Sequence, residues 1–286
     1  MDAKHTSSRI VFLSFADKRY AGALNSLKEC TEHFPFDERY FLNEDALPAD
    51  YLRSLHCRVY RRGFGYWRWK TYLIRERMKL MNEGDILVYT DAGVYWNAKG
   101  VKRFEEYIQM LKEGEFLITF QSSYLEKDYS KGDILKFTGH YNDDNVLMSL
   151  QLLGGIVIIK KNAEGMRFVE EWYELCHHHF DLISDKVSAV SCIRGFVENR
   201  HDQSALSLLA KQRRHIEISY KETLPLSLDW SQMEAFPIQS RQYKKKEMTW
   251  KEKHIFELKK PYMALIAWYL KRYKHFYFSP TTKVYW

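Results

Sequence analysis

A chain of 286 residues, 45% of them hydrophobic, can bury one large core or two small ones, which excludes a disordered protein. Its four cysteines have no CxxC or other metal-ligand spacing, so we expect free thiols in a reducing compartment rather than a disulfide scaffold or a zinc site. The formal charge of +7 is uneven: residues 241–286 hold twelve Lys or Arg and three Glu, a net charge of +9, and the other residues carry −2. The basic character therefore belongs to the tail.

Apolar runs and helical spacings alternate along the chain. We predict strands at residues 10–15, 39–42, 57–60, 86–89, 116–120 and 152–160. We predict helices at residues 21–34, 69–81, 104–111 and 163–180. Strands that alternate with helices indicate an α/β fold with a mostly parallel sheet flanked by helices.

A carboxylate and a glycine end the apolar run at residues 86–89, where the sequence continues Thr90, Asp91, Ala92 and Gly93. Open α/β sheets place their ligands in the crevice beyond the carboxyl end of a buried strand. This position makes Asp91 a candidate for handling a diphosphate, a metal ion or a sugar. The alternative is a plain strand-to-turn boundary, with Asp91 as the turn former and Gly93 supplying an unusual backbone angle.

A second candidate segment is Gly-Phe-Gly-Tyr-Trp-Arg-Trp-Lys at residues 63–70, just before a predicted helix. Aromatic rings such as Trp69 can stack on a base or a sugar, and the cations of Arg68 and Lys70 can neutralise a phosphate. The alternative is an aromatic-rich loop packed on the core.

Two further candidates lie in the second half of the chain. Gly154 and Gly155 begin a β-branched run, which indicates a backbone that another group approaches closely, or else a bulge or turn. Farther on, His201, Asp202 and Gln203 form a polar loop that leads into an apolar helix. The alternative for Asp202 is a simple helix N-cap.

The order of these segments resembles the GT-A-fold nucleotide-sugar glycosyltransferases. The His-Asp-Gln-Ser-x-Leu segment at 201–206 is similar to the His-Asp-Glu-Ser-x-Leu-Asn segment of the retaining α-1,3-galactosyl and N-acetylgalactosaminyl transferases, and to the Asp-Gln pair of bacterial retaining galactosyltransferases. The Gly-Tyr-Trp-x-Trp-Lys and Gly-Asp-Ile-Leu-Val-Tyr-Thr-Asp-Ala-Gly runs look like those of bacterial surface-polysaccharide glycosyltransferases. The likeness covers residues 8–230.

By this resemblance, Asp91 is the first acid of an Asp-x-Asp motif that binds a divalent metal on the sugar-nucleotide diphosphate, with Ala92 and Gly93 beside the donor. The second acid of the motif is replaced by Gly93. Two outcomes stay open. Asp91 holds Mn²⁺ or Mg²⁺ with help from the donor phosphates, or the reaction is metal-independent and Arg68, Lys70 or a tail cation neutralises the diphosphate.

The resemblance also implies roles for the second-half residues. Gly154 and Gly155 border the acceptor and the donor sugar, and His201 contacts a phosphate or orients Asp202. Asp202 and Gln203 lie near the anomeric carbon. In a retaining reaction either of them stabilises an oxocarbenium-like centre, whereas in an inverting reaction Asp202 is the base. We favour retention.

The expected protein therefore has a GT-A-like catalytic domain at 1–235, with a donor half at 1–125 and an acceptor half at 126–235, and a basic, aromatic extension at 236–286. It would move a hexose from a nucleotide sugar, such as a UDP-sugar, to a hydroxyl of a glycan or lipid-linked glycan in bacterial polysaccharide or lipopolysaccharide synthesis. The rivals are a nucleic-acid-binding protein that uses the basic tail, and a non-catalytic nucleotide-sugar-binding fold that lacks the second acid.

The tail interleaves aromatic residues and cations at residues 261–278, which is typical of an interfacial helix on anionic lipid. Docking on the body of the protein or on a homodimer partner is the alternative. The N-terminus has no apolar signal region, and the apolar run at residues 262–270 is too short to span a bilayer. We expect a cytoplasmic protein, peripheral on the inner face of the cell membrane, with no nucleic-acid partner.

Overall fold

A mixed β-sheet forms the centre of the computed structural model, which describes residues 8–225 and 230–240. The strands are β1 (Ile10–Phe15), β2 (Glu38–Leu42), β3 (Ile86–Thr90), β4 (Tyr95–Trp96), β5 (Leu117–Leu125), β6 (Leu150–Lys160), β7 (Ile216–Ile218) and β8 (Ile238–Gln239). The helices are α1 (Ala21–Cys30), α2 (Ala49–Ser54), α3 (Gly63–Tyr66), α4 (Arg68–Lys79), α5 (Val101–Glu113), α6 (Glu126–Tyr129), α7 (Gly132–Phe137), α8 (Asp144–Leu147), α9 (Ala163–His178), α10 (Phe180–Ile183) and α11 (Asp202–Ala210). Short 3₁₀ turns lie at Lys18–Tyr20, Glu44–Ala46, Ala98–Gly100, Tyr220–Glu222 and Trp230–Met233.

The main sheet has the strand order β2-β1-β3-β6-β5-β7. Strands β2, β1 and β3 run parallel, as do β5 and β7, whereas β6 runs antiparallel to both of its neighbours. The predicted α/β class with a mostly parallel sheet is confirmed, and the antiparallel β6 is a feature that the alternation of elements did not predict.

Helices cover both faces of the sheet. On one face α4, α9 and α11 pack together and on the sheet through buried side chains that include Trp69, Leu73, Trp172 and Leu206. On the other face, α1 and α5 bury side chains that include Phe104. The two layers of helices therefore exclude water from the sheet. A polar side chain that points into either layer needs a hydrogen-bond partner inside it.

The predicted strand at residues 57–60 is wrong. These residues form successive turns, in which Val59 and Tyr60 donate backbone hydrogen bonds to the His56 carbonyl and Val59 is 74% exposed. His56 itself has a positive φ of 49°, which breaks an extended conformation. A four-residue apolar pattern is too short to distinguish a strand from a turn that buries only part of its side chains.

A small second sheet joins the end of the described chain to the sequence just after Asp91. Its strands β4 and β8 are antiparallel, with Trp96 opposite Ile238 and Tyr95 opposite Gln239. Both described ranges belong to the unit Met1–Tyr243, and the predicted interfacial helix at 261–278 lies outside the described residues. Among residues 8–225 and 230–240, no helix has the length and apolar character needed to cross a membrane.

Candidate active site

Asp91 lies at the carboxyl end of β3, in the middle of the sheet. The five residues of β3 are buried, but the Asp91 side chain is 36% exposed. Its backbone N–H donates to the Gly155 carbonyl at 2.9 Å, which ties the end of β3 to β6. The Tyr89 hydroxyl donates to Asp91 Oδ1 at 2.7 Å, and burial raises the pKa of Tyr89 well above its usual value. Tyr89 therefore stays a proton donor that orients the carboxylate.

Lys70 points into the layer between α4 and the sheet, because it shares the buried face of α4 with Leu73 and Ile74. Its Nζ lies 2.7 Å from Asp202 Oδ2, 2.9 Å from the Gly154 carbonyl oxygen and 3.3 Å from Asp91 Oδ1. Three acceptors surround an ammonium that has three protons. Burial opposes the charged form, but the two carboxylates outweigh it and raise the pKa of Lys70. Lys70 is thus a buried cation that joins Asp91 to Asp202.

Asp202 is the first residue of α11, and its side chain does not cap that helix. The N-cap is His201, with no side-chain hydrogen bond to the helix. The Asp202 carboxylate turns towards Lys70, and the Asp202 carbonyl accepts a hydrogen bond from Trp172 Nε1 at 3.0 Å. Burial raises the pKa of Asp202 to about 6, although the Lys70 ammonium acts in the opposite direction.

Gly154 and Gly155 let the backbone of β6 pass between the acidic residues. A Cβ on Gly155 would lie 2.7 Å from Asp91 Oδ2, and a Cβ on Gly154 would lie 2.8 Å from the Cβ of Gln203 and 3.3 Å from Asp202 Oδ2. A side chain at Gly154 would meet the Cα and Cβ of Gln203, whereas one at Gly155 would force the Asp91 carboxylate to move. The predicted close approach at the two glycines is what the structure shows, and the approaching groups are other candidate site residues.

Gln203 bridges α11 and β6 beside this centre. Its Oε1 accepts the Gly154 backbone N–H at 3.1 Å, and its Nε2 donates to Gln151 Oε1 at 2.7 Å. The side chain is therefore held at both ends of its amide, and its oxygen faces the glycine that also contacts Lys70.

His201 is buried, with an unusual backbone conformation (φ 56°, ψ −124°). Its Nδ1 lies 2.6 Å from the Ile183 carbonyl, and its ring stacks on Trp67 with centroids 5.5 Å apart. Its Nε2 lies 3.8 Å from Asp185 Oδ1 and has no hydrogen-bond partner among the residues that the structure describes. Burial lowers the pKa of His201 to about 4, so the ring is neutral near pH 7. Nε2 is itself buried, so it is an unsatisfied polar atom of the interior beside the site.

Residues 63–67, which comprise the short element α3 and Trp67, form a left-handed turn rather than a regular α-helix. All of its residues have positive φ, including the non-glycine residues Phe64 (52°), Tyr66 (59°) and Trp67 (57°). Left-handed backbone costs an L-residue about 1–2 kcal/mol, and such strain is concentrated at functional sites. A Cβ on Gly63 would lie 2.2 Å from the Trp67 ring, so the turn brings that ring over Gly63 and against His201.

Other predicted donor-site residues lie elsewhere in the packing. Arg68 donates to the carbonyls of Leu55 (2.9 Å) and Gly65 (3.1 Å), which fasten the loop before α4. Trp69 donates to the Gly63 carbonyl and packs on the ring of Phe15.

The two residues after Asp91 contribute backbone rather than functional groups. Ala92 is buried against Ala16 and Leu24. Gly93 is partly exposed in the turn that follows Asp91. The structure thus brings together Lys70, Asp91, Asp202, Gln203 and the two glycines, with His201 next to them.

Three residues that the sequence reasoning missed complete the site: Tyr89, Trp172 and Gln151. A signal existed for Tyr89, because residues two apart on a strand share a face, so that Tyr89 and Asp91 point the same way. A weaker signal existed for Gln151, a polar residue in the apolar run that leads to Gly154. Nothing local marks Trp172 as a partner of Asp202.

The donor set does not fit a divalent cation held by protein side chains alone. The two neighbouring carboxylates already share the Lys70 ammonium, and within the described ranges no group of three or more His, Cys, Asp or Glu side chains could hold a metal. With one cation between two carboxylates, the trio has a net charge of −1 when Asp202 is ionised. Such a centre stabilises positive charge that develops on a bound molecule.

The sequence matches no protein-family model and no curated protein. Among solved structures, the chain is similar to a glycosyltransferase involved in the glycosylation of the major capsid of PBCV-1 (10% identity, TM-score 0.46, covering 81% of this chain and 92% of that chain). It is also similar to the galactosyltransferase LgtC (13%, 0.45, 87% and 94%) and to mouse xyloside xylosyltransferase 1 (11%, 0.44, 78% and 89%). Because every one of these TM-scores is below 0.5, the likeness does not transfer an activity or a substrate to this chain.

Proposed function

We propose that the protein is a glycosyltransferase of GT-A type that moves a hexose from a UDP-sugar to a hydroxyl of a glycan or lipid-linked glycan in bacterial polysaccharide or lipopolysaccharide synthesis. The observation that carries the proposal is the cluster in which Lys70 joins Asp91 to Asp202 at the end of β3. This cluster lies at the strand end where open α/β sheets bind ligands. Glycosyl transfer needs negative charge next to the sugar ring, which becomes positively charged in the transition state.

The proposed roles follow from exposure. Asp91 is the accessible carboxylate, so it binds the hydroxyls of the donor sugar or ribose. The Asp202 side chain is only 5% exposed and Gln203 beside it is half-buried; we assign this pair to stabilising the positive charge that develops on the sugar ring as the nucleoside diphosphate leaves. The Lys70 ammonium offsets the repulsion between the two carboxylates, so both can stay close together.

The proposed reaction retains the anomeric configuration. An inverting enzyme needs a base with an accessible oxygen that takes a proton from the acceptor hydroxyl. The Asp202 side chain is 5% exposed, and its Oδ2 is occupied by Lys70, which suits a charge stabiliser better than a base. The proton of the acceptor then goes to the departing phosphate oxygen, and the new glycosidic bond forms on the face that this oxygen leaves.

The proposed transfer is independent of a divalent metal. The ammonium of Lys70 and the guanidinium of Arg68 are both committed to protein acceptors, so neither is assigned to the leaving diphosphate. The basic tail at residues 241–286 is the proposed anchor on the inner face of the membrane, where a lipid-linked acceptor would be presented.

The first test is a thermal-shift panel of UDP-, GDP-, CMP- and dTDP-sugars, each with Mn²⁺ or with EDTA. A ligand that binds the folded state raises the melting temperature by mass action. We expect a rise with one nucleotide class, equal in both conditions, followed by release of that nucleoside diphosphate when a glycan acceptor is added. A rise that depends on Mn²⁺ would overturn metal independence. No rise in a folded sample would overturn the donor assignment.

Two variants separate transfer from binding alone. Asp202→Asn should abolish release of the nucleoside diphosphate and leave the melting-temperature rise in place, since Asp202 acts on the reacting carbon. Replacement of the tail lysines should prevent sedimentation with vesicles that contain phosphatidylglycerol. Donor binding without turnover in the unmodified chain, across acceptors, would instead identify a non-catalytic nucleotide-sugar-binding fold.

A further inference from the structure

A chain of hydrogen bonds, buried at its Glu126 end, runs from Glu126 to Gln203. Glu126 begins α6, immediately after β5, and its side chain is inaccessible to solvent. Lys211 Nζ donates to Glu126 Oε2 at 2.7 Å, and the hydroxyl of Ser130 donates to Oε1 at 2.6 Å. Both carboxylate oxygens therefore act as acceptors, in an environment where an unsatisfied polar group is costly.

This arrangement decides which way the Gln151 amide points. Gln151 Nε2 lies 3.1 Å from Glu126 Oε1 and 3.1 Å from the Tyr129 backbone carbonyl. Both of these partners are acceptors, so only the NH₂ end of the amide can face them. The reversed amide would place three acceptors against each other in the dry interior. Gln151 Oε1 must therefore point away from Glu126, towards Gln203.

The orientation of the Gln151 amide in turn fixes the orientation of the Gln203 amide in the candidate active site. Because Gln151 offers an oxygen, Gln203 must present its NH₂ end to it, and the two atoms are 2.7 Å apart. The other end of Gln203, its Oε1, is left facing the Gly154 N–H at 3.1 Å. Gly154 also supplies the carbonyl that binds Lys70. The Glu126 carboxylate, two hydrogen bonds away from Gln203, thus selects which end of the Gln203 amide faces Gly154.

We propose that Gln151, held by Glu126 and the Tyr129 carbonyl, is a positioning residue that keeps the oxygen of Gln203 directed into the active site. The value of this orientation rests on the proposed function, since an amide oxygen stabilises a developing oxocarbenium centre whereas an amide NH₂ would oppose it. The orientation itself does not depend on the reaction, so it can be tested by a measurement on the resting protein.

The test compares Gln151→Met with Gln239→Met in the full chain. Methionine has the length of glutamine without its amide, so Gln151→Met removes the acceptor that fixes Gln203. Gln239 is also buried and donates to a backbone carbonyl, that of Met233, at 3.0 Å, so its replacement is a matched loss outside the site. The readouts are amide hydrogen exchange by NMR and steady-state kinetics with the donor identified in the thermal-shift panel.

In Gln151→Met we expect the Gly154 amide to exchange at least tenfold faster while that of Ile158, on the same strand, is unchanged. We expect kcat to fall about tenfold and KM for the donor to stay within twofold. Gln239→Met should leave the Gly154 exchange, the kcat and the KM as in the parent. If Gln151→Met fails to fold, Gln151→Asn, which keeps the amide but is one methylene short, replaces it with the same expectations.

Wild-type protection of Gly154 in the Gln151 variant, or equal loss of that protection in Gln239→Met, would overturn the inference. An unchanged kcat in an active enzyme would also overturn it. If the parent chain transfers no sugar, the proposed function fails, but the exchange measurement still decides whether Gln151 orients Gln203.

Discussion

Lys70 and Asp202 form an ion pair 2.7 Å long across 132 residues of sequence, and their side chains are only 2% and 5% exposed. Each buried charge is tolerated because the other is present. The pair joins the first turn of α4 to the first residue of α11, so the packing of two helices and the charge at the site depend on the same contact.

Lys70→Met should therefore cost stability as well as activity. The substitution leaves the Asp202 carboxylate buried without its cation, a change that costs about 3–5 kcal/mol in proteins. Urea unfolding followed by circular dichroism measures the loss. Lys79→Met, on the same helix but exposed and paired with Glu76 at the surface, should change the free energy of unfolding by less than about 1 kcal/mol. Equal losses in the two variants would contradict the buried pair.

The pH dependence of transfer should follow Asp202. Its folded pKa of about 6 lies above the usual value for Asp, so the carboxylate that the reaction needs is lost as the pH falls through 6. We expect kcat/KM, which reports the free enzyme, to decline on the acid side with an apparent pKa near 6. An acid limb near pH 4 would indicate that another group controls the rate.

The same pKa shift has the opposite effect on stability. Because the folded pKa is raised, the folded state favours protonated Asp202. That contribution to stability is fully present below about pH 4 and is lost as the pH rises towards about 6. Urea unfolding between pH 4 and 7 should show this loss in the parent, and Asp202→Asn, which cannot ionise, should show less of it. Identical pH profiles would refute the assignment.

Gly155→Ala should displace Asp91, since the new Cβ would lie 2.7 Å from Asp91 Oδ2. We expect a loss of about 1–3 kcal/mol in the free energy of unfolding and a weaker thermal shift with the donor. Gly22→Ala, in helix α1, is the matched control, because among the described residues no atom outside its own stretch of helix lies within 4 Å of the added Cβ. Alanine there should stabilise by about 0.5–1 kcal/mol. A Gly155→Ala protein with normal donor binding would show that Asp91 is not a donor ligand.

Arg68→Lys should lower stability without changing the KM for the donor. The guanidinium fastens the loop at Leu55 and Gly65, and a lysine cannot reproduce these separate bonds. We expect a loss of about 1–3 kcal/mol in urea unfolding. A large rise in KM with unchanged stability would instead return Arg68 to the donor site, as the sequence motif implies.

Local pattern was sufficient for most of the elements and for the positions of the candidate site. The apolar run before Asp91, the paired glycines of β6 and the polar start of α11 are each visible within a few residues. The prediction failed at residues 57–60, where four residues were too few to define a period. The sequence does not distinguish a helix cap from a site residue at Asp202, because both place an acid at the start of a helix.

Short-range sequence patterns predict the alternation of strands and helices, the close approach at Gly154 and Gly155, and the candidate site residues, because these signals depend on neighbours a few residues apart. The antiparallel direction of β6 between β3 and β5 is visible only in the folded chain. The folded chain also shows that Lys70 contacts both Asp91 and Asp202, and that Glu126 orients Gln203 through Gln151. A buried polar group takes whichever partner the packing of distant segments places beside it, and no local period of the sequence encodes that choice.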